Sequence, residues 1–304
     1  MTKPKVTLVT STEMPNLFPG EEPLLDLLSD RGVDPTIQMW TDARVDWQDA
    51  GLCVVRSVSD YAKDRGAFLD WARSVPRILN HPDVLNWNTD KHYMVELAKR
   101  GLPLIPTTWL EPGLHLSKQQ VHSRLPAAGD FVVKPAVSSG MRDIGRYTAN
   151  DTQQRQAAIM QAMDLLQSGR SVMVQRYIQE IDIHGETSLV FFNGLVSHAV
   201  SKRAMLHPSS VTEAAMHEAV LTGKEATEEE WRWGEEIRQV LHSYVRDRMG
   251  RDEQFLFSRI DLVPDGHGSF LVMEVGMADA DLYLQSTDSA IQNFADAIAM
   301  RAFW

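Results

Sequence analysis

Short apolar runs and amphipathic stretches alternate through the first eighty residues of the chain. Lys5 to Thr10 (KVTLVT) reads as a strand. Pro23 to Arg31 carries leucines at helical spacing and stops at Gly32, a helix-ending signal. Thr36 to Trp40 and Leu52 to Arg56 (LCVVR) read as further strands. Asp64 to Ser74 is predicted helical, with Phe68, Leu69 and Ala72 on its apolar face, and Arg77 to Asn80 closes the series as a fourth strand. Strands separated by helices predict a parallel sheet.

Beyond residue 80 the pattern changes. Asn88 or Thr89 can cap a predicted helix from Asp90 to Lys99 that ends at Gly101. Lys91 falls in its first turn, where a cation opposes the helix dipole; it is a solvated charge or a lysine kept for another purpose. Helices are predicted at Leu116 to Leu125, Thr152 to Leu166, Glu228 to Met249 and Ser289 to Phe303. Strands are predicted at Phe131 to Val133, Ser171 to Tyr177 and Gly185 to Phe192. Asn193-Gly194 is a hairpin signal leading into a strand closed by Lys202 and Arg203. Phe255 to Leu262 and Ser269 to Val275 flank the turn PDGHG and form a second predicted hairpin. Met205 to Ala226 is polar and mixed, and reads as a mobile loop with some helix.

Composition narrows the picture. The 304 residues are 43% hydrophobic and 23% charged, as in ordinary globular proteins, and are enough for two or three small domains. A net charge of −11 argues against general nucleic-acid binding. Cys53 is the only cysteine, which excludes an internal disulfide and suits a reducing, cytoplasmic setting. The N-terminus lacks the apolar stretch of a signal peptide, and no run approaches a membrane span, so no membrane partner is expected.

The chemistry concentrates in three places. Phe131 to Gly145 (FVVKPAVSSGMRDIG) sets Lys134 at the end of a strand, before a donor-rich turn of Ser138, Ser139 and Gly140. Such a loop can wrap an anion with backbone amides while the lysine adds full charge; read plainly, it is a strand followed by a serine-rich turn. Gly140 to Gly145 has Walker A spacing, but Arg146 and Tyr147 stand where Lys and Ser/Thr belong. The turn after the first strand, STEMPNLFPG, lacks the glycines of a dinucleotide site. Asp261 and Glu274 interrupt the two apolar arms of the second hairpin, where unpaired charge is costly. They form a Mg²⁺–phosphate arrangement, or two carboxylates on a wet face, or an ion pair with Arg259. Ten histidines without HxxxH spacing, and one cysteine, argue against zinc. The third place is Arg56, Ser57, Asp60 and Tyr61 in RSVSDY, just after the third strand, where open parallel sheets bind ligands. Arg56 can grip a carboxylate and Asp60 an ammonium, or the two can pair with each other.

In order, WNTDK, FVVKP with its small-residue loop, VQRYIQE, GETSLVFFNG, SHAVSKR, SRIDL and MEV resemble the ATP-grasp superfamily over nearly the whole chain. WNTDK, RSVSDY and SHAVSKR look closest to stand-alone ligases that include the cyclo-ligase of cycloserine biosynthesis; glutathione synthetase and ribosomal-protein glutamate ligases are more distantly similar. The resemblance implies an α+β protein: an α/β N-terminal domain over 1–90, linker helices and a central lid domain over 91–180, and a C-terminal domain over 181–304. The nucleotide would lie between the central and C-terminal domains. Lys91 and Lys134 would contact the α- and β-phosphates of ATP, under a lid of Ser138, Ser139 and Gly140. Gln175, Arg176, Tyr177 and Ile178 would form the adenine hinge, and Glu180 or Glu186 would take the ribose. Lys202 would face the terminal phosphate, and Arg203 and Arg259 an acyl phosphate or a substrate carboxylate. Asp261 and Glu274 would ligate Mg²⁺.

The match has departures. Gly276 stands two positions after Glu274, where the family usually carries Asn or Glu, so Asp279 or Asp281 would have to substitute. Ser59 replaces a common Trp, and the loop from Ser209 to Glu230 lacks the expected arginine-glycine pattern; both suggest a substrate unlike that of close relatives. The implied reaction joins a carboxylate to an amine on a small amino-acid-like substrate, through an acyl phosphate, giving an amide or lactam-type ring. A small-molecule kinase and a catalytically silent nucleotide-binding protein are the rival readings. The resemblance also allows a homodimer or larger homo-oligomer.

Overall fold

The computed structural model describes residues 2–203, 221–250 and 252–304, so most of the polar stretch Met205 to Ala226 lies outside the described residues. Three sheets organise the chain. The first holds β1 (Lys5–Thr10), β2 (Asp34–Met39), β3 (Leu52–Ser57) and β4 (Ile78–Leu79), all parallel, in the order β2-β1-β3-β4. β3 is buried along its whole length, as a parallel strand covered on both faces must be. Cys53 and Val55 face the helix Arg65–Ser74, and Val54 faces the opposite way, toward the helix Leu24–Asp30. That second face is completed from the far end of the chain by Phe294 and Ile298 of the helix Ala290–Ala302.

The second sheet holds β5 (Thr107–Leu110), β6 (Asp130–Pro135), β7 (Gly145–Thr148) and β8 (Val172–Arg176), antiparallel, in the order β5-β8-β6-β7. The helix Lys118–Arg124 starts at a Ser117/Gln120 capping box, and Thr152–Gln167 at the Asp151 side chain; both pack on this sheet. The third sheet holds β9 (Glu186–Phe192), β10 (Leu195–Lys202), β11 (Leu221–Lys224), β12 (Phe257–Pro264) and β13 (Phe270–Gly276), ordered β11-β10-β9-β12-β13. Asn193 and Gly194, both at positive φ, make the predicted hairpin turn. The helix Glu228–Met249 covers one face with Ile237, Leu241 and Val245. Among the described residues, no helix is long and apolar enough to cross a membrane.

Several elements differ from expectation. A short helix that was not predicted, Pro82–Asn88, comes first, and the helix predicted from Asp90 to Lys99 begins only at Tyr93 (Tyr93–Lys99). Thr89 ends the first by bonding back to the Leu85 carbonyl, rather than opening the second. Lys91 therefore sits in the break, its backbone N–H donating to the Ala136 carbonyl at 3.0 Å. β5 and β7 carry no strong apolar signal because they are short edge strands, half wetted along their length.

Candidate active site

The three sheets and the loops between them enclose a cavity of about 620 Å³. Side-chain alternation places its groups. On β6, Phe131 and Val133 enter the core of the second sheet, so Val132 and Lys134 turn to the cavity. On β12, Ile260 and Leu262 enter the core of the third sheet, so Arg259 and Asp261 turn to the cavity. Asp261 and Glu274 are direct cross-strand partners, as the hairpin pattern predicts.

Lys91 Nζ donates to the Ser138 carbonyl at 3.1 Å and its hydroxyl at 3.3 Å, and stands 3.5 Å from Glu274 Oε1. Lys134 has no anion within 4 Å among the described residues; burial pushes its pKa down to about 8, with Glu274 opposing and Lys91 assisting that shift. Lys202 lies 2.8 Å from Glu186 and 3.4 Å from Asp261. Asp261 also accepts from Arg259 Nη2 at 2.8 Å and from the Ser188 hydroxyl at 2.6 Å. Burial would raise its pKa, but Arg259 and Lys202 hold it at about 2. Glu274 is likewise held below the usual range against burial, by Lys91, Arg259 and Lys134.

The cavity also has apolar lining from Ile105, Val132, Ile144, Ile178 and Met273, together with Gln175, Arg176 and Tyr177. Gln175 is pinned by Thr107 at 2.8 Å, and the Arg146 guanidinium stacks on the Tyr177 ring. The donor set fits a magnesium nucleotide: apolar lining for a base, lysines for phosphates, and two hard carboxylates for a metal that keeps part of its water.

Of the other expected groups, Ser138, Ser139, Gly140, Glu186, Asp279 and Tyr61 also line the cavity. The loop of Ser138 to Gly140 is clasped at two points: Tyr61 donates to the Ser138 carbonyl at 3.1 Å, and Ser139 donates to Asp279. Six expectations are corrected. Arg56 is fully buried against Glu21, stacked by Phe18, Phe257 and Phe294, and does not face the cavity. Ser57 donates to backbone carbonyls of Met14 and Asn16. Asp60 accepts from Trp40 Nε1 at 2.7 Å and from Thr12, so it pairs neither with Arg56 nor with a ligand. Glu180 sits outside the cavity beside His184, and Arg203 is exposed past the end of β10 rather than lining the cavity. Asp279 does not join Asp261 and Glu274 in a metal-ligand cluster: its oxygens accept from Val58 N–H and Ser139, and among the described residues no three His, Cys, Asp or Glu side chains cluster for a metal.

Sequence reasoning missed Glu13 and Arg142, which bridge the loop after β1 to the loop after β6 while both touch Ser59. These positions lie 129 residues apart, and no local pattern marks the contact. Gly276 has a steric account. A Cβ there would stand 2.8 Å from the Ala280 Cβ, because the chain folds straight back over that position.

Residues 6–80 match the family described as "D-cycloserine synthetase DcsG, N-terminal domain". The chain is 31% identical over 288 residues to "Cycloserine biosynthesis protein DcsG" of Streptomyces lavendulae, with 92% of each chain covered. Among solved structures it is similar to that of D-cycloserine synthetase DcsG, at TM-score 0.81 and 28% identity over 98% of this chain and 99% of that one. It is also similar to D-alanine--D-alanine ligase from Bacillus anthracis complexed with ATP, at TM-score 0.64 and 13% identity over 100% and 98% of the two chains. At that identity the second likeness concerns the fold alone.

Proposed function

Because this chain belongs to the DcsG family of ATP-grasp ligases, we propose that it activates the carboxylate of a small amino-acid-like substrate with ATP and closes an amide or lactam-type ring onto an amine. An ATP-dependent ligase of this family needs cations and positioning more than a protein nucleophile. The observation that carries the reading is the convergence of Lys91, Lys134 and the Asp261–Glu274 pair on one cavity.

A carboxylate oxygen attacks the γ-phosphorus, the bond to the bridging oxygen breaks, and ADP leaves an acyl phosphate. The amine nitrogen then attacks the acyl carbon, phosphate departs with the carboxylate oxygen, and the nitrogen gives up one proton, to the departing phosphate or to water. Lys134, lacking a protein anion among the described residues, holds phosphate oxygens; Lys91 does so from the helix break. Lys202 and Arg259, fixed by Asp261, face the charge that develops at the transferred group. Asp261 and Glu274 would hold Mg²⁺, which when bound neutralises phosphate charge. Ser138 to Gly140 close over the phosphates, and the apolar lining takes the base.

The test is ADP release on pooled amino acids, with and without added amine and Mg²⁺, followed by mass spectrometry of the products. Amide or lactam mass gain with ADP formation supports the ligase reading. A phosphorylated product that accumulates without any C–N bond would make the protein a kinase.

A further inference from the structure

Six carboxylates line the cavity: Glu13, Glu186, Asp261, Glu274, Asp279 and Asp281. Four stand within 4 Å of a protein cation: Glu13 (Lys63, Arg142), Glu186 (Lys202), Asp261 (Lys202, Arg259) and Glu274 (Lys91). Among the described residues, Asp279 and Asp281 have no such partner. Asp281 still sits in the combined field of Arg259, Arg56 and Lys202. For Asp279 the relevant cation is Arg56, which Glu21 already neutralises, and Asp60 opposes it.

Asp279 is also held rigidly. One oxygen accepts the Val58 N–H at 2.8 Å, from the residue after β3, and the other accepts the Ser139 hydroxyl, from the loop after β6. These two bonds leave about half of the acceptor capacity of a carboxylate, which has some four lone-pair sites. An ionised carboxylate in a cavity wall without a cation is unfavourable until a ligand brings one.

We infer that Asp279 receives the protonated α-amino group of the substrate that carries the activated carboxylate, a group distinct from the amine that attacks the acyl carbon, and so selects amino acids over amine-free acids at this site. The assignment rests on the ligase reading and moves the ammonium contact away from Asp60, which Trp40 and Thr12 occupy.

The test compares Asp279→Asn with wild type on two probes: the free amino acid that supports wild-type ADP release, and its 2-hydroxy analogue. Asn keeps an oxygen for Val58 N–H and an amide for Ser139, so a purely structural clasp survives. The expected result is a KM for the amino acid raised on the order of 10- to 100-fold, the range of one charge-assisted hydrogen bond. The KM for ATP stays unchanged, and the preference for the amino acid over the hydroxy acid disappears. Wild-type KM and preference in the variant overturn the assignment and leave the ligase reading intact. If no amino acid supports ADP release in wild type, the ligase reading fails and this assignment falls with it. Should melting curves show Asp279→Asn unfolded, wild type is titrated instead. Arg56, Asp60 and Tyr61 face Asp279, and Asp281 shares its loop. Burial pushes Asp279 up to about 6, so the amino-acid KM should rise as pH falls through that value, in wild type and in Asp281→Asn alike. The hydroxy-acid KM should not follow it. A flat profile overturns the assignment.

Discussion

Two arginines of this protein meet buried carboxylates, with opposite consequences. Arg56 and Glu21 are 0% and 1% exposed, behind three phenylalanine rings. Arg259 and Asp261 are 11% and 1% exposed, but they open onto the cavity with Lys202 beside them. Burial raises the Glu21 pKa even though Arg56 opposes it, whereas Asp261 is held at about 2. One cation does not offset full desolvation; two cations and the Ser188 hydroxyl do. The first pair is a strut between β3 and the segment before the helix Leu24–Asp30, covered by Phe294 of the C-terminal helix. The second is a charge cluster on the cavity wall that its own cations keep ionised.

Breaking the strut should have the largest effect on the folded state. Arg56→Ala leaves Glu21 buried without its cation and should cost about 3–5 kcal/mol of stability in denaturant titration. Unchanged stability with a raised substrate KM would return Arg56 to the substrate role its sequence position suggested.

Breaking the cavity pair should act on rate. Arg259→Ala should lower kcat about 10²–10³-fold, the loss expected for one preorganised donor. Its stability loss should be smaller than that of Arg56→Ala, because Lys202 and Ser188 still hold Asp261. Equal stability losses in the two variants would erase the distinction.

Lys134 sharpens the same contrast, as a cavity cation with no carboxylate of its own among the described residues. Lys134→Ala should cost on the order of 2–4 kcal/mol in kcat/KM. Without nucleotide, Lys134→Met should raise the melting temperature at neutral pH, a stability gain at the expense of function. The sign follows from its folded pKa of about 8 against the usual lysine value of 10.5. Between these values the unfolded chain binds the extra proton, so wild-type stability rises with pH and the advantage of Met shrinks. A melting-temperature difference that stays constant from pH 7 to about 10.5 would show that Lys134 is not desolvated.

Much of this was legible before the structure. Lys134 and the Asp261–Glu274 pair stood out because each breaks an apolar strand pattern, and strand alternation then sends it to the face opposite the core. Lys91 was legible as a misplaced charge, although the reason was a helix break rather than a helix start. RSVSDY misled because the local rule about strand ends was sound but incomplete. It could not reveal that Glu21, Trp40 and Thr12 would reach those side chains first.

The sequence by itself determined most strands, most helices, the two hairpins and the ordered motifs of an ATP-grasp ligase, because these rest on periodicity and turn chemistry within a few residues. Only the tertiary structure decided which charges are satisfied by the protein and which await a ligand. That depends on contacts such as Glu21 with Arg56 across 35 residues, Ser139 with Asp279 across 140, and Val58 with Asp279 across 221. Electrostatic compensation is set by distance in space and by access to water, and neither is written in any one stretch of chain.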